Sequence, residues 1–336
     1  MAALTTTTGA QHAAILGVGA YRPLRLVPNS DVVDAIDSSD EWIQQRSGIK
    51  TRRWAGPDES VQMMSVEASR IAIERAGLEP GQIDCVVVAT VSHLLQTPAV
   101  ATAIAHELGT DAAAFDISAA CSGFCHGIAL ASDIIRAGSS RYVLVVGVER
   151  LTDILDLTDR GTAFIFADGA GAAVVGPSET AGIGPVVWGS DGEQFDLIRQ
   201  REDWRDVVGS PEKPGSGVMP HLTMQGNPVF RWASFAMAKI GQQALDAAGV
   251  TLDDLDVFVP HQANMRIIDA MARSMKLPPT VRIARDVADQ GNTSAASVPL
   301  ALDRMMAEGE ARSGDTALLI AFGAGLSYAA QVVTVP

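Results

Sequence analysis

Cysteine is scarce in this chain, with three residues among 336. An odd count without framework spacing excludes a disulfide scaffold, and the expected setting is a reducing compartment, the cytoplasm. No apolar run approaches the roughly 18 residues a membrane-spanning helix needs, so no membrane association is expected. Positive charge is also short: 25 Lys and Arg stand against 39 Asp and Glu, a formal charge of −14. That balance argues against nucleic acid as the main partner and makes any local basic cluster informative. The first twelve residues, MAALTTTTGAQH, hold neither an apolar stretch nor an arginine; they read as a disordered tail, not a targeting segment. No His or Cys pair has ligand spacing with supporting acids, so no metal is expected. A chain of this length buries roughly 75% of its surface on folding, enough for two domains or one large double domain.

What is present centres on residues 113–138, AAFDISAACSGFCHGIALASDIIRAG. AAAFDIS reads as a short buried strand, and apolar residues at Phe124, Ile128, Ala131 and Ile135 then follow helical spacing. Cys121 sits at the joint. A thiol in the first turn of a helix meets unpaired N–H groups and the positive end of the macrodipole, a setting that lowers a cysteine pKa from about 8.5. Ala119, Ala120, Ser122 and Gly123 leave room around the sulfur. The alternative is a small core hydrophobe.

Along the chain, AAILGVGAY reads as a first strand, and NSDVVDAI and SSDEWIQQRSG as two short helices opened by Asn29 and by Ser38 with Ser39. Trp42 and Arg46, four apart, share a face of the second, either as a seat for a flat anionic ligand or as ordinary packing. A helix over about 60–76 precedes IDCVVVAT, whose β-branched run predicts burial on both faces. RYVLVVGVE and AGAAVVGP are further strands. Residues 189–222 are charged and rich in Gly and Pro, and predict a long loop bordering a binding site.

An internal repeat sets the architecture. AIERAGLEPGQIDCVVVAT aligns without a gap on ALDAAGVTLDDLDVFVPHQ, Gly77 over Gly249, an offset of 172. CSGFCHGIALASDIIRAG aligns on NTSAASVPLALDRMMAEG, Gly138 over Gly309, an offset of 171. The prediction is an α/β chain of two pseudo-symmetric halves, 13–180 and 181–336, packed as layered helices and sheets. This register sets Asn292 over Cys121 and His261 over Ala89. Cys, His and Asn then converge near the pseudo-two-fold axis.

Three motifs in order, AACSGF around Cys121, VPHQANMRII around His261 and GNTSAAS around Asn292, resemble β-ketoacyl-acyl-carrier-protein synthase III, a condensing-enzyme family of the thiolase-fold superfamily. The resemblance implies the αβαβα thiolase-like arrangement and initiation of fatty-acid synthesis from acyl-coenzyme A and malonyl-acyl carrier protein. It implies no cofactor, since the coenzyme A thioester is itself a substrate. Cys121 would carry the acyl group, while His261 and Asn292 would donate hydrogen bonds to the enolate left by decarboxylation. The backbone N–H groups of Cys121 and Ala324 would form the oxyanion hole.

The same likeness assigns Trp42, Arg46, Arg160, Asn227 and Asn264 to coenzyme A, and Phe322 and Thr97 to the acyl pocket. Acetyl-specific members carry an aromatic ring at the place of Thr97, so a deeper pocket and a primer beyond acetyl are expected, the alternative being that Leu94 or Leu95 of the same loop takes the place of the ring. It places carrier-protein docking on Gln262, Ala263, Asn264, Met265, Arg266, Arg231 and Arg273, the alternative for those arginines being a solvated helix face. It also implies a homodimer. Thiolase is excluded as a rival by the absence of any cysteine after Cys125. A priming ketosynthase of a polyketide pathway and a non-catalytic acyl-binding partner stay open.

Overall fold

The computed structural model describes residues 4–211 and 213–336. Two five-stranded sheets carry the molecule. The first runs in the order β1 (His12–Tyr21), β5 (Asp168–Ser178), β4 (Val143–Arg150), β2 (Cys85–Ala89), β3 (Ala113–Ile117). The second runs β6 (Val187–Ser190), β10 (Ser327–Thr334), β9 (Thr316–Gly323), β7 (Val257–Pro260), β8 (Arg282–Ile283). Strand for strand the two have one topology: antiparallel for the first two pairings and parallel for the last two. The repeat in the sequence is therefore a repeat in space.

Helices follow the same plan. α1 (Asp40–Ser47) is capped by the Ser39 hydroxyl; α2 (Val61–Arg75) and α3 (Val100–Leu108) cover the outer face of the first sheet. α5 (Gly226–Ala248) and α6 (Met265–Met275) cover the outer face of the second. Between the sheets lie α4 (Gly123–Ala137) and α7 (Ser297–Ala307). Their central position explains their composition. Phe124, Ile128, Ala131 and Ile135 of α4 join Val298, Ala301, Leu302 and Met305 of α7 in one core with apolar residues of both sheets. At about 25 cal/mol per Å² of apolar surface removed from water, this shared core binds the halves into one body. The layers are αβαβα, as expected.

Several expectations need correction. β3 is the edge of its sheet, and Phe115 is 39% exposed; an edge strand with one neighbour reads like a buried one because apolar content alone does not reveal sheet order. NSDVVDAI forms only a single 3-10 turn at Asn29–Asp31. Residues 198–200 and 222–224 pair as a small ribbon inside the segment expected to be loop. Of the segment expected to be a tail, residues 1–3 lie outside the described residues. Beyond them, Thr7 Oγ1 donates to Ala137 O and Ala10 N to Ile135 O, which fastens the segment to the end of α4. Among the described residues no helix is long and apolar enough to cross a membrane.

Candidate active site

Both inter-sheet helices begin with the same irregular backbone. A residue with positive φ, Ala120 at 45° or Ser294 at 49°, opens a three-residue 3-10 turn that runs directly into the helix. Superposed on these turns, Cys121 corresponds to Ala295, not to Asn292. The register slips because α7 has 11 residues and α4 has 15. A gapless alignment anchored at the glycines past the helix ends drifts by nearly one turn at the other end. Asn292 lies upstream, where its N–H donates to Ile165 O at 2.9 Å and its carbonyl accepts from Ala167 N at 2.9 Å.

Cys121, His261 and Asn292 nonetheless line one cavity of about 560 Å³. All three are buried, at 8%, 3% and 4% exposure, and form its floor. Trp42, Arg46, Arg160 and Asn227, which are more exposed, line the same cavity and form its mouth. The guanidinium of Arg160 lies 4.7 Å from the centre of the Trp42 ring and that of Arg46 5.7 Å. An indole with two cations beside it suits a flat ring that carries phosphates. Ile198, Arg199, Gln200 and Leu222, from the segment expected to border a site, complete part of the wall.

His261 follows β7, and its Nδ1 lies 2.7 Å from Ser297 Oγ. Gln262 N also donates to that oxygen. With Gln262 N–H on one lone pair, the serine hydrogen can point at Nδ1, the tautomer that carries the imidazole proton on Nε2. Burial pushes the His261 pKa down to about 3, so the ring is neutral and acts as a hydrogen-bond donor. Phe322 packs edge-on against it at 5.5 Å. Asn292 Oδ1 accepts from Ser294 N at 2.8 Å, which orients its amide so that Nδ2 is the donor side. Nδ2 makes a marginal contact of 3.5 Å with Ala263 O.

Around the sulfur, Gly323 comes so close that a Cβ built on it would lie 2.5 Å from Cys121 N. Only glycine permits this approach of the turn containing Ala324. Here the expectation of a lowered cysteine pKa fails. Burial pushes the thiol up to about 12, and the nearby charge of Glu149 adds to the rise. The Ser294 hydroxyl and the cysteine's own N–H pull the other way, without prevailing.

Other expected site residues fall in different places. Gln262 is buried and braces the backbone: Nε2 donates to Pro260 O and Ala284 O, and Oε1 accepts from Val287 N. It is removed from the docking surface. Ala263 is also buried and lines the cavity. Asn264 caps α6 through Oδ1 and donates from Nδ2 to Arg46 O, tying the two rims of the mouth together. Met265 packs by Gly48 and its sulfur accepts from Arg285. Arg231, Arg266 and Arg273 are exposed. Thr97 is exposed and does not line the cavity of its own chain.

Two groups, Glu149 and Ser294, escaped the sequence reading. Glu149 is wholly buried at the end of β4. It accepts from Ser92 Oγ at 2.5 Å, Val91 N at 3.1 Å, Thr90 Oγ1 at 3.3 Å and Ser294 Oγ at 3.2 Å. A lone acid closing the apolar run RYVLVVGVE was the available signal.

The family models for 3-oxoacyl-[acyl-carrier-protein] synthase III and for its C-terminal part match residues 115–192 and 245–335. The chain is 59% identical to the Streptomyces coelicolor protein named beta-ketoacyl-[acyl-carrier-protein] synthase III 1, over 100% of both chains. It is 54% identical to the Mycobacterium avium protein named mycobacterial beta-ketoacyl-[acyl-carrier-protein] synthase III, covering 100% of this chain and 99% of that one. Among solved structures, a priming β-ketosynthase from a polyketide biosynthetic pathway superposes with TM-score 0.94 at 50% identity, over 99% of this chain and 98% of that one. The Pseudomonas aeruginosa 3-oxoacyl-(acyl carrier protein) synthase III gives 0.88 at 36%, over 97% and 99%. A thiol, an Nε2 donor and an amide donor on one cavity floor, in a chain this similar to those proteins throughout its length, place it in the 3-oxoacyl-[acyl-carrier-protein] synthase III family.

Proposed function

We propose that this chain initiates fatty-acid synthesis, condensing an acyl-coenzyme A primer with malonyl-acyl carrier protein by way of an acyl-Cys121 thioester. The observation that carries this reading is the cavity floor itself, where the buried imidazole is neutral and, among the described residues, has a serine hydroxyl and no carboxylate behind it. Such a ring is poorly suited to general-base work and well suited to hold an oxyanion. In the first half-reaction the sulfur attacks the primer carbonyl, and the Cys121 and Ala324 N–H groups hold the tetrahedral oxyanion. In the second, carbon dioxide leaves and His261 Nε2 and Asn292 Nδ2 hold the enolate. Its carbon then attacks the acyl thioester. Each donor of this kind is worth about 3 kcal/mol to the barrier.

Trp42 with Arg46 and Arg160 would receive the nucleotide end of the coenzyme, with Asn227 along the tunnel. Arg231, Arg266 and Arg273 would dock the acidic carrier on an otherwise acidic chain. The exposed loop bearing Thr97 and the open edge β3 support a homodimer in which Thr97 serves the partner's acyl pocket; the cytoplasm is its setting.

The test is mass spectrometry of Cys121 after incubation with acetyl-, isobutyryl- and octanoyl-coenzyme A, followed by malonyl carrier protein. Acyl-Cys121, discharged as 3-oxoacyl carrier only when carrier is present, is the expected result. No acyl adduct with any primer would instead support a non-catalytic acyl-binding protein. A second reading, priming of a polyketide pathway, is favoured by the superposition at TM-score 0.94. It uses the same chemistry, and the primer profile separates the two.

A further inference from the structure

The mechanism gives no role to the buried acid that acts on Cys121 and leaves one proton unaccounted for. Acylation strips a proton from the Cys121 thiol, and product release requires one to restore it. Malonyl decarboxylation supplies none, since it begins from a carboxylate and ends in carbon dioxide. The site therefore needs a group that keeps the proton while the sulfur is acylated.

Glu149 is placed for this. The Ser294 hydroxyl stands between the Cys121 sulfur and Glu149 Oε1, 3.2 Å from the latter, and its single proton can be given to either. Ser294 is held in this place by its own backbone, at φ 49°, and by its N–H bond to Asn292. The other carboxylate oxygen faces three donors, Thr90 Oγ1, Val91 N and Ser92 Oγ, and Ser92 Oγ in turn accepts from Arg150 N. Donors on every side receive an ionised carboxylate well, whereas complete burial favours the protonated one. The opposition leaves the acid titrating at about 7, where either state is accessible at working pH. Its charge in turn raises the pKa of the Cys121 thiol.

We infer that Glu149 stores the Cys121 proton for the lifetime of the acyl-enzyme, exchanging it through the Ser294 hydroxyl. As the sulfur bonds to the primer carbonyl, its proton passes to Ser294 Oγ while the serine proton passes to Glu149 Oε1. Coenzyme A leaves as thiolate and takes a proton from solvent. When the enolate carbon displaces the sulfur, Glu149 returns its proton by the reverse path and the thiol is restored. The sum over both halves consumes one solvent proton and releases carbon dioxide, coenzyme A and 3-oxoacyl carrier. Two consequences follow. The carboxylate charge that raises the thiol pKa disappears as the thiol is deprotonated, and the malonyl carboxylate enters a site whose own acid is already neutral.

This rests on the reading of Cys121 as the acyl carrier, so the test is made on single-turnover acylation of intact protein by acetyl-coenzyme A at pH 5.5–9.5. Wild type is expected to rise to a plateau just above pH 7. Glu149→Gln is expected to acylate about 100-fold more slowly at pH 7, within the usual range for loss of a general base. Its rate should climb with hydroxide without a plateau. Ser294→Ala, which leaves the carboxylate in place, is expected to show the same changed profile. It also serves if the glutamine variant fails to fold by circular dichroism. Either folded variant keeping the wild-type profile and rate overturns the proposal. Absence of acyl-Cys121 in wild type would overturn the parent reading instead.

Discussion

The two joints at which a sheet strand gives way to an inter-sheet helix share a backbone and differ in chemistry. Each opens with a positive-φ residue, Ala120 or Ser294, and each turns once before its helix. One places a thiol on the second residue of the turn and the other a methyl group, Ala295. The strand ends diverge likewise. In sheet register His261 stands where the first half has Ala89, and Gly323 where it has Glu149. A duplicated scaffold keeps its folding solution while the side chains at strand ends are free to specialise, because those ends contribute little to the shared core. The single site results from adding two incomplete ones.

The largest effect should come from exchanging the joints. Cys121→Ala is expected to lower acylation by on the order of 10⁴-fold or more. Adding Ala295→Cys, with intact-protein mass spectrometry as the readout, should restore nothing, since that turn has no imidazole and amide donor opposite it; recovered acylation would make the halves equivalent after all. Next, His261→Ala and Asn292→Ala should each slow condensation about 10²- to 10³-fold while acyl-Cys121 still forms. Equal loss in both half-reactions would remove the division of labour between the halves. Gly323→Ala presses a methyl onto Cys121 N. It is expected to cost about 1–3 kcal/mol of stability, read as a lower Tm, together with slower acylation.

The smallest effect concerns pH. With a folded pKa of about 3, His261 stays neutral, so the condensation rate should show no step near pH 6.5. The unfolded chain takes up that proton first as pH falls below about 6.5, so this group costs the fold stability between about 6.5 and 3 and nothing above. Wild type should therefore lose Tm faster than His261→Phe over that window, and a step near 6.5 would show that the ring is charged.

The duplication was legible because buried β-branched runs such as CVVVA and VFVP carry their own signature, and Cys121 was legible from its strand-helix joint. The pairing of Cys121 with Asn292 was misplaced because helix length cannot be read from a helix's last glycine. Glu149 and Ser294, 145 residues apart, become neighbours only when both sheets are assembled. The carboxylate reads as a strand terminus and the hydroxyl as part of a turn until packing joins them. The cysteine pKa was misjudged for a related reason: helix position is local and visible, whereas desolvation depends on what the rest of the chain lays over the sulfur.

Asn292 reaches the floor on a main chain that is bonded to residues 165–167 of the opposite half. Catalytic competence therefore cannot reside in either half by itself. Opening the exposed connection at Glu179–Thr180 should yield two fragments, each inert alone, that regain turnover by complementation when mixed.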